Sequence, residues 1–164
     1  MRRSSRPAQE AWRTYDKSHA VRLPDHDYAA DVPTHLTICA EYVVTDDPAF
    51  AQVICGNVDF YGCRLRYDLF CYCLMPDHLH VLLSPGASGI PIAKWLDSFK
   101  SFTTHEFMKT GGHAPLWQRS ANDHVCRASE TVENVARYIV NSPVRAGLVE
   151  KWDDWPWTKV FVEI

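Results

Sequence analysis

LRYDLFCYCLM (residues 65–75) and HLHVLLS (residues 78–84) are two apolar, strand-like runs separated only by Pro76-Asp77. Pro-Asp is a turn signal, and two strands this close in sequence pair as an antiparallel hairpin. The second half of the first run is apolar on both faces, as in a strand with neighbours on either side. In the second run His78 and His80 leave one face while Leu79, Val81 and Leu83 leave the other, because successive side chains on a strand alternate. A lone hairpin is marginal in water, so the rest of the chain has to cover that apolar face.

The flanking segments supply the cover. THLTICAEYVV (residues 34–44) alternates, with Leu36, Ile38, Ala40, Tyr42 and Val44 on one side and His35, Thr37, Cys39 and Glu41 on the other, which predicts a half-buried strand. Thr45-Asp46-Asp47-Pro48 carries capping residues and a first-turn Pro, which predicts a helix to about Phe60, stopped by Tyr61-Gly62. IPIAKWLDSFKSFTTHEFMK has apolar residues at 92, 95, 96, 99 and 102, a helical spacing ended by Gly111-Gly112. GHAPLWQRSAN is a loop and DHVCRA a short strand. A last helix runs from Ser129 with a stripe of Val132, Val135, Ala136, Ile139 and Val140, and Pro143 ends it. The remainder is a turn and an aromatic-rich tail.

The order is therefore β-α-β-β-α-β-α. Its first six elements predict an α+β, ferredoxin-like βαββαβ sandwich, with an added C-terminal helix. One sheet face is expected to carry both crossover helices and the other to stay open. Residues 1–33 lack any sustained period and are expected to form a poorly ordered or draped N-terminal tail ahead of a domain spanning 34–164.

Composition narrows the function. At 164 residues and 46% apolar the chain can build one core. No apolar run approaches the roughly 20 residues of a membrane helix, and no apolar stretch follows Arg2, Arg3 and Arg6 as a secretory leader requires. The expected setting is the cytoplasm, with no membrane partner. Six cysteines in a reducing compartment read as small buried hydrophobes, or as a zinc site built from Cys71, Cys73, His124 and Cys126. The net charge of −3 argues against an overall basic nucleic-acid binder, yet Lys94, Lys100, Lys109, Arg119 and Arg127 crowd residues 94–127.

Three features could carry chemistry. His78 and His80 stand side by side and can form half of a metal site, or simply be a surface pair. Tyr138 falls outside the apolar stripe of its helix, either as a nucleophile or as an interfacial phenol. LWQRSANDHVCR is rich in stacking and hydrogen-bonding groups suited to unpaired bases, or is a solvated loop.

Together these stretches resemble a known family. MPDHLHVLLSP is similar to the His-hydrophobe-His (HUH) motif of the single-tyrosine transposases that move insertion sequences as single strands. LWQRSANDHVCR, YIVNSPVRAGLV and WPWT resemble, in this order, stretches of their REP-associated branch. The resemblance covers about residues 34–158. It implies a nicking-joining enzyme acting on single-stranded DNA with hairpin ends. His78 and His80 would ligate Mg²⁺ or Mn²⁺, and Tyr138 would attack phosphorus to leave a 5′-phosphotyrosine and a free 3′-hydroxyl. No NTP is needed, because the phosphotyrosine keeps the bond energy. A homodimer fits the resemblance. The family's third metal ligand, an amide four residues after the tyrosine, is replaced here by Ser142, with an amide one residue earlier at Asn141. Lys100, Arg119, Arg127 and Arg145 are candidate DNA contacts, and His35 or Glu41 is expected to border the histidine pair as a supporting partner. Two other readings stay open at this point. One is a domesticated module that grips DNA hairpins without cutting. The other is a small metal-dependent hydrolase that recruits Asp123 or His124 beside His78.

Overall fold

A computed structural model describes residues 1–3, 27 and 29–164, so most of the expected N-terminal tail lies outside the described residues. The elements run β1 (Thr34–Cys39), α1 (Pro48–Arg64), β2 (Asp68–Met75), β3 (His78–Ser84), α2 (Ile92–Lys109), β4 (Asn122–Val125), α3 (Val132–Val140), α4 (Ser142–Arg145) and β5 (Thr158–Val160). The sheet order is β4-β1-β3-β2-β5, and every neighbouring pair is antiparallel. Each crossover skips one strand: β1 and β2 flank β3, while β3 and β4 flank β1. This is the expected ferredoxin-like arrangement, extended at the β2 edge by β5.

The first core lies between the sheet and the two crossover helices. Leu36, Ile38, Leu79, Val81 and Leu83 project into it against Ile54, Trp95 and Phe99. Trp95 and Phe99 stack with centroids 5.2 Å apart, and Trp117 ties the following loop to α2 through its Nε1–H, which donates to Thr103 Oγ1 at 2.8 Å.

Four expectations need correction. The strand β1 stops at Cys39 rather than Val44, although Ala40, Tyr42 and Val44 remain buried. Beyond Cys39 the backbone leaves the sheet ladder: Ala40 N–H donates to the Asp77 carbonyl, and Glu41 N–H to that of Leu116. Arg3 bridges Tyr42, and Arg2 pairs with Asp46 at 3.0 Å. The helix α1 continues past Gly62 to Arg64, because Gly62 is a contact point for the Leu69 side chain and not a stop. Its end is set by Arg66, whose φ of +56° lets the Arg66 and Tyr67 N–H groups bond back to Cys63 and Gly62. The aromatic tail supplies a strand, β5, where Trp155 Nε1–H donates to the Leu74 carbonyl at 2.9 Å.

The last correction matters most for function. The second sheet face is not left open. Cys71, Cys73, Met75 and Leu82 on that face pack with Ala136, Ile139 and Val140 of α3 in a second core. The histidine face is thus partly roofed by the helix that carries Tyr138.

The two glycines after α2 act differently. Gly111 takes φ +87° and turns the chain. Gly112 lies against the Phe107 ring, and a Cβ there would fall 2.4 Å from that ring. Phe107 is wedged against Tyr42 and Phe50 and has little room to yield. Gly112→Ala should therefore lower stability by about 1–3 kcal/mol. Gly56→Ala, in the middle of α1 with nothing near its Cβ, should raise it by about 0.5–1 kcal/mol. Urea midpoints of the two variants, moving in opposite directions, check this.

Candidate active site

Strand β3 presents His78 and His80 on the face that α3 roofs, and both are buried. Their Nε2 atoms converge to 3.1 Å. Each imidazole is held from behind by its other nitrogen. His78 Nδ1–H donates to the Asp77 carboxylate at 2.9 Å, which fixes the ring with Nε2 toward His80. His80 Nδ1 lies 3.0 Å from His35 Nε2 and 3.2 Å from Thr37 Oγ1. The β1–β3 register explains this: Thr37 is directly opposite His80, and His35 sits one step along the same face.

Burial holds the His80 imidazole neutral, with its basicity well below that of an ordinary histidine, helped by the charges of His78, His35 and Arg145. Burial likewise pushes His35 down to about 4, with His124 and His78 adding to the effect. Two imidazoles whose Nε2 atoms lie 3.1 Å apart can share a hydrogen bond or a cation between them. Two ring nitrogens 3.1 Å apart are close enough to chelate one divalent cation at neighbouring coordination positions. The carboxylate and imidazole behind the pair are the supports that ligating histidines ordinarily have.

The same burial makes the fold acid-sensitive. Below pH 6.5 the unfolded chain protonates both imidazoles while the folded chain resists, so stability falls as pH falls. Each contributes a slope of about 1.4 kcal/mol per pH unit, which for His35 ends near pH 4. Urea unfolding in chelator between pH 6.5 and 5 should show this decline, and His35→Gln should remove about half of it. An unchanged slope in the variant would show that His35 is not the titrating group.

Tyr138 lies on α3, the helix packed on the histidine side of the sheet, and the residue is 43% exposed. The Arg145 guanidinium covers that ring at 4.0 Å from its centroid. Its Nη1–H donates to the Tyr138 carbonyl at 2.6 Å and its Nη2–H to Ser142 Oγ at 2.9 Å. Ser142 is buried, and Asn141 Nδ2–H turns back to the Arg137 carbonyl at 2.8 Å. No hydrogen bond joins either residue to an imidazole.

The other sequence-predicted residues separate. Lys100 spends its ammonium on the Gln118 and Arg119 carbonyls, at 2.9 and 3.4 Å, and burial lowers its basicity. It ties α2 to the loop instead of offering a free cation. Arg119 and Arg127 are exposed. Glu41 lies beyond the end of β1, and no hydrogen bond or ion pair joins it to the imidazoles. The zinc reading fails on strand order: Cys71 and Cys73 sit on β2, and His124 on β4, three strands away, or about 14 Å. All six cysteines are free, and burial pushes Cys71 and Cys73 up to about 12. The hydrolase reading loses its extra ligands. Asp123 pairs with Leu36 on the opposite face, and His124 Nε2 bonds to Glu130 at 3.0 Å. Among the described residues no group of three or more His, Cys, Asp or Glu is placed to hold a metal.

Sequence reasoning missed Asp77 and Thr37. Asp77 was legible only as a turn residue, and Thr37 as one position of an alternating strand. Only the register puts Thr37 opposite His80.

The chain is similar to two known proteins that share one description. A protein of Haemophilus influenzae named as a REP-associated tyrosine transposase is 26% identical over 102 residues, 56% of this chain and 58% of that protein. The chain thus matches just under three fifths of that curated relative. A solved REP-associated tyrosine transposase bound to a REP hairpin superposes with a TM-score of 0.62 at 17% identity, covering 80% of this chain and 78% of that one. At that identity the likeness shows a shared fold. No family model matches the chain. Among the described residues no helix is long and apolar enough to cross a membrane.

Proposed function

We propose that this chain is a single-strand DNA transposase, a nicking-joining enzyme that acts at hairpin DNA ends through Tyr138. One observation carries the reading. A pair of buried imidazoles with converging Nε2 atoms lies on the sheet face to which the tyrosine helix is docked. The likeness to a REP-associated tyrosine transposase, and the REP hairpin bound by the solved relative, support hairpin DNA as the substrate.

His78 and His80 would hold Mg²⁺ or Mn²⁺ through Nε2. Bound there, the cation supplies Lewis-acid withdrawal of charge from the scissile phosphate. Asp77, His35 and Thr37 fix the two rings, so the pair is set before DNA arrives. Both imidazoles are buried, which strengthens the charge interactions they make. The Tyr138 oxygen attacks phosphorus. An Oη–P bond forms, the P–O3′ bond breaks, the phenolic proton leaves to solvent, and the departing 3′-oxygen takes one up. Attack by a later 3′-hydroxyl reverses the step and joins strands.

The test is a denaturing gel. Protein incubated with a hairpin bearing a single-stranded flank and Mn²⁺ should yield a covalent DNA adduct, suppressed by chelator. Tight hairpin binding with no adduct under Mg²⁺ or Mn²⁺ would overturn the enzyme reading. It would select the non-cleaving hairpin-binding module, which the engagement of Ser142 by Arg145 in place of a ligating amide favours.

A further inference from the structure

We propose that Arg145 is a catalytic residue of this site: it holds the Tyr138 ring in place and binds the phosphodiester that Tyr138 attacks. The inference rests on the strand-transfer reading and adds to it a cation supplied by the chain itself.

Arg145 is held in a way that Arg119 and Arg127 are not. Its guanidinium carbon stands over the Tyr138 ring, 4.0 Å from the centroid, while two N–H groups anchor it to Tyr138 O and Ser142 Oγ. A guanidinium has five N–H donors, so three remain for another acceptor. None of the ion pairs among the described residues involves Arg145. A cation fixed at three points and given no carboxylate is unlike a structural salt bridge. Its planar fork matches phosphate oxygens.

The position of Ser142 explains how the anchor arises. The residue that departs from the family's amide is short, buried and directed at the guanidinium. A hydroxyl there accepts one N–H and leaves the rest of the fork outward. The phosphate gains charge as Tyr138 attacks, so a cation already in place acts more on the rate than on DNA affinity. Bond changes stay as written above. Arg145 gives up no proton.

The experiment uses the full chain, a hairpin with a single-stranded flank, and Mn²⁺. At saturating DNA, Arg145→Gln should slow adduct formation at least 100-fold and Arg145→Lys at least 10-fold, while hairpin Kd by anisotropy moves less than 3-fold. Ser142→Ala, which only loosens the anchor, should slow it about 5-fold. Rates equal to wild type in Arg145→Gln would overturn the proposal. So would a Kd that weakens 10-fold or more with an unchanged saturated rate, since that describes a simple DNA grip.

A second readout needs no cleavage. In protein labelled with 3-fluorotyrosine, the ¹⁹F signal of Tyr138, assigned by its loss in Tyr138→Phe, should shift on adding inorganic phosphate. Arg145→Gln should abolish that shift. If wild-type protein forms no adduct, the strand-transfer reading fails by itself. The ¹⁹F titration then decides the phosphate site, and no phosphate-dependent shift in wild type overturns it.

Discussion

Tyr138→Phe protein should form no covalent DNA adduct, a loss of at least about a thousandfold, while still binding the hairpin and folding normally. The substitution removes one oxygen and nothing else. The residue is exposed, so no cavity opens, and phenylalanine keeps the ring over which the Arg145 guanidinium stands. Stability should stay within about 0.5 kcal/mol of wild type, as for most surface changes. The nucleophile is lost outright, because a phenyl ring has no atom to bond to phosphorus. Denaturing gels with end-labelled hairpin read the adduct, anisotropy reads binding, and urea unfolding reads stability. An adduct that survives the substitution would refute Tyr138 as the nucleophile. Mixing Tyr138→Phe with His80→Ala protein adds a further reading. The helix that carries Tyr138 packs on the sheet face that bears the histidines of the same chain, so the mixture should stay inactive. Restored adduct would show instead that a second copy supplies the tyrosine.

Much of this was legible in the chain. The switch between period two and period 3.6 gave the order of elements, and the Pro76-Asp77 turn gave the hairpin that sets the sheet. Alternation along β3 was enough to put His78 and His80 on the face opposite Leu79 and Val81. The strand reading also placed His35 on a shared face, and cross-strand pairing makes it a neighbour of His80. The rest depended on register and long-range packing, which periodicity does not contain. Thr37 meets His80 only because β1 and β3 pair with Thr37 opposite it. Glu41 drops out because Asp77 and Leu116 carbonyls draw the backbone off the ladder after Cys39. β5 was hidden because it is only three residues long and alternates too briefly to register. The roof over the histidines was hidden for a related reason. Apolar residues on α3 announce a buried stripe but not the face of the sheet that receives it.

His78→Ala and His80→Ala should each weaken Mn²⁺ binding by more than 100-fold and suppress adduct formation to a similar degree, with hairpin affinity little changed. Either substitution leaves a single imidazole where two Nε2 atoms now stand 3.1 Å apart, and one nitrogen is a poor chelate. The two variants should differ in stability. His80 is buried and bonded to His35 and Thr37, so alanine there empties a packed position and removes the hydrogen bonds of two neighbours, at a cost of about 1–3 kcal/mol. His78 stands at the hairpin end of β3, with its Nδ1 partner in the adjacent residue, so its loss disturbs less of the sheet. Asp77→Asn keeps the shape and weakens the hold on His78, and should lower Mn²⁺ affinity by about 10–100-fold. Titration calorimetry with Mn²⁺ alone measures all three without DNA or turnover. Equal affinity in wild type and both histidine variants would remove the cation from this pair. Tight binding lost only in the histidine variants, and graded in Asp77→Asn, would fix both the ligands and the carboxylate that orients them.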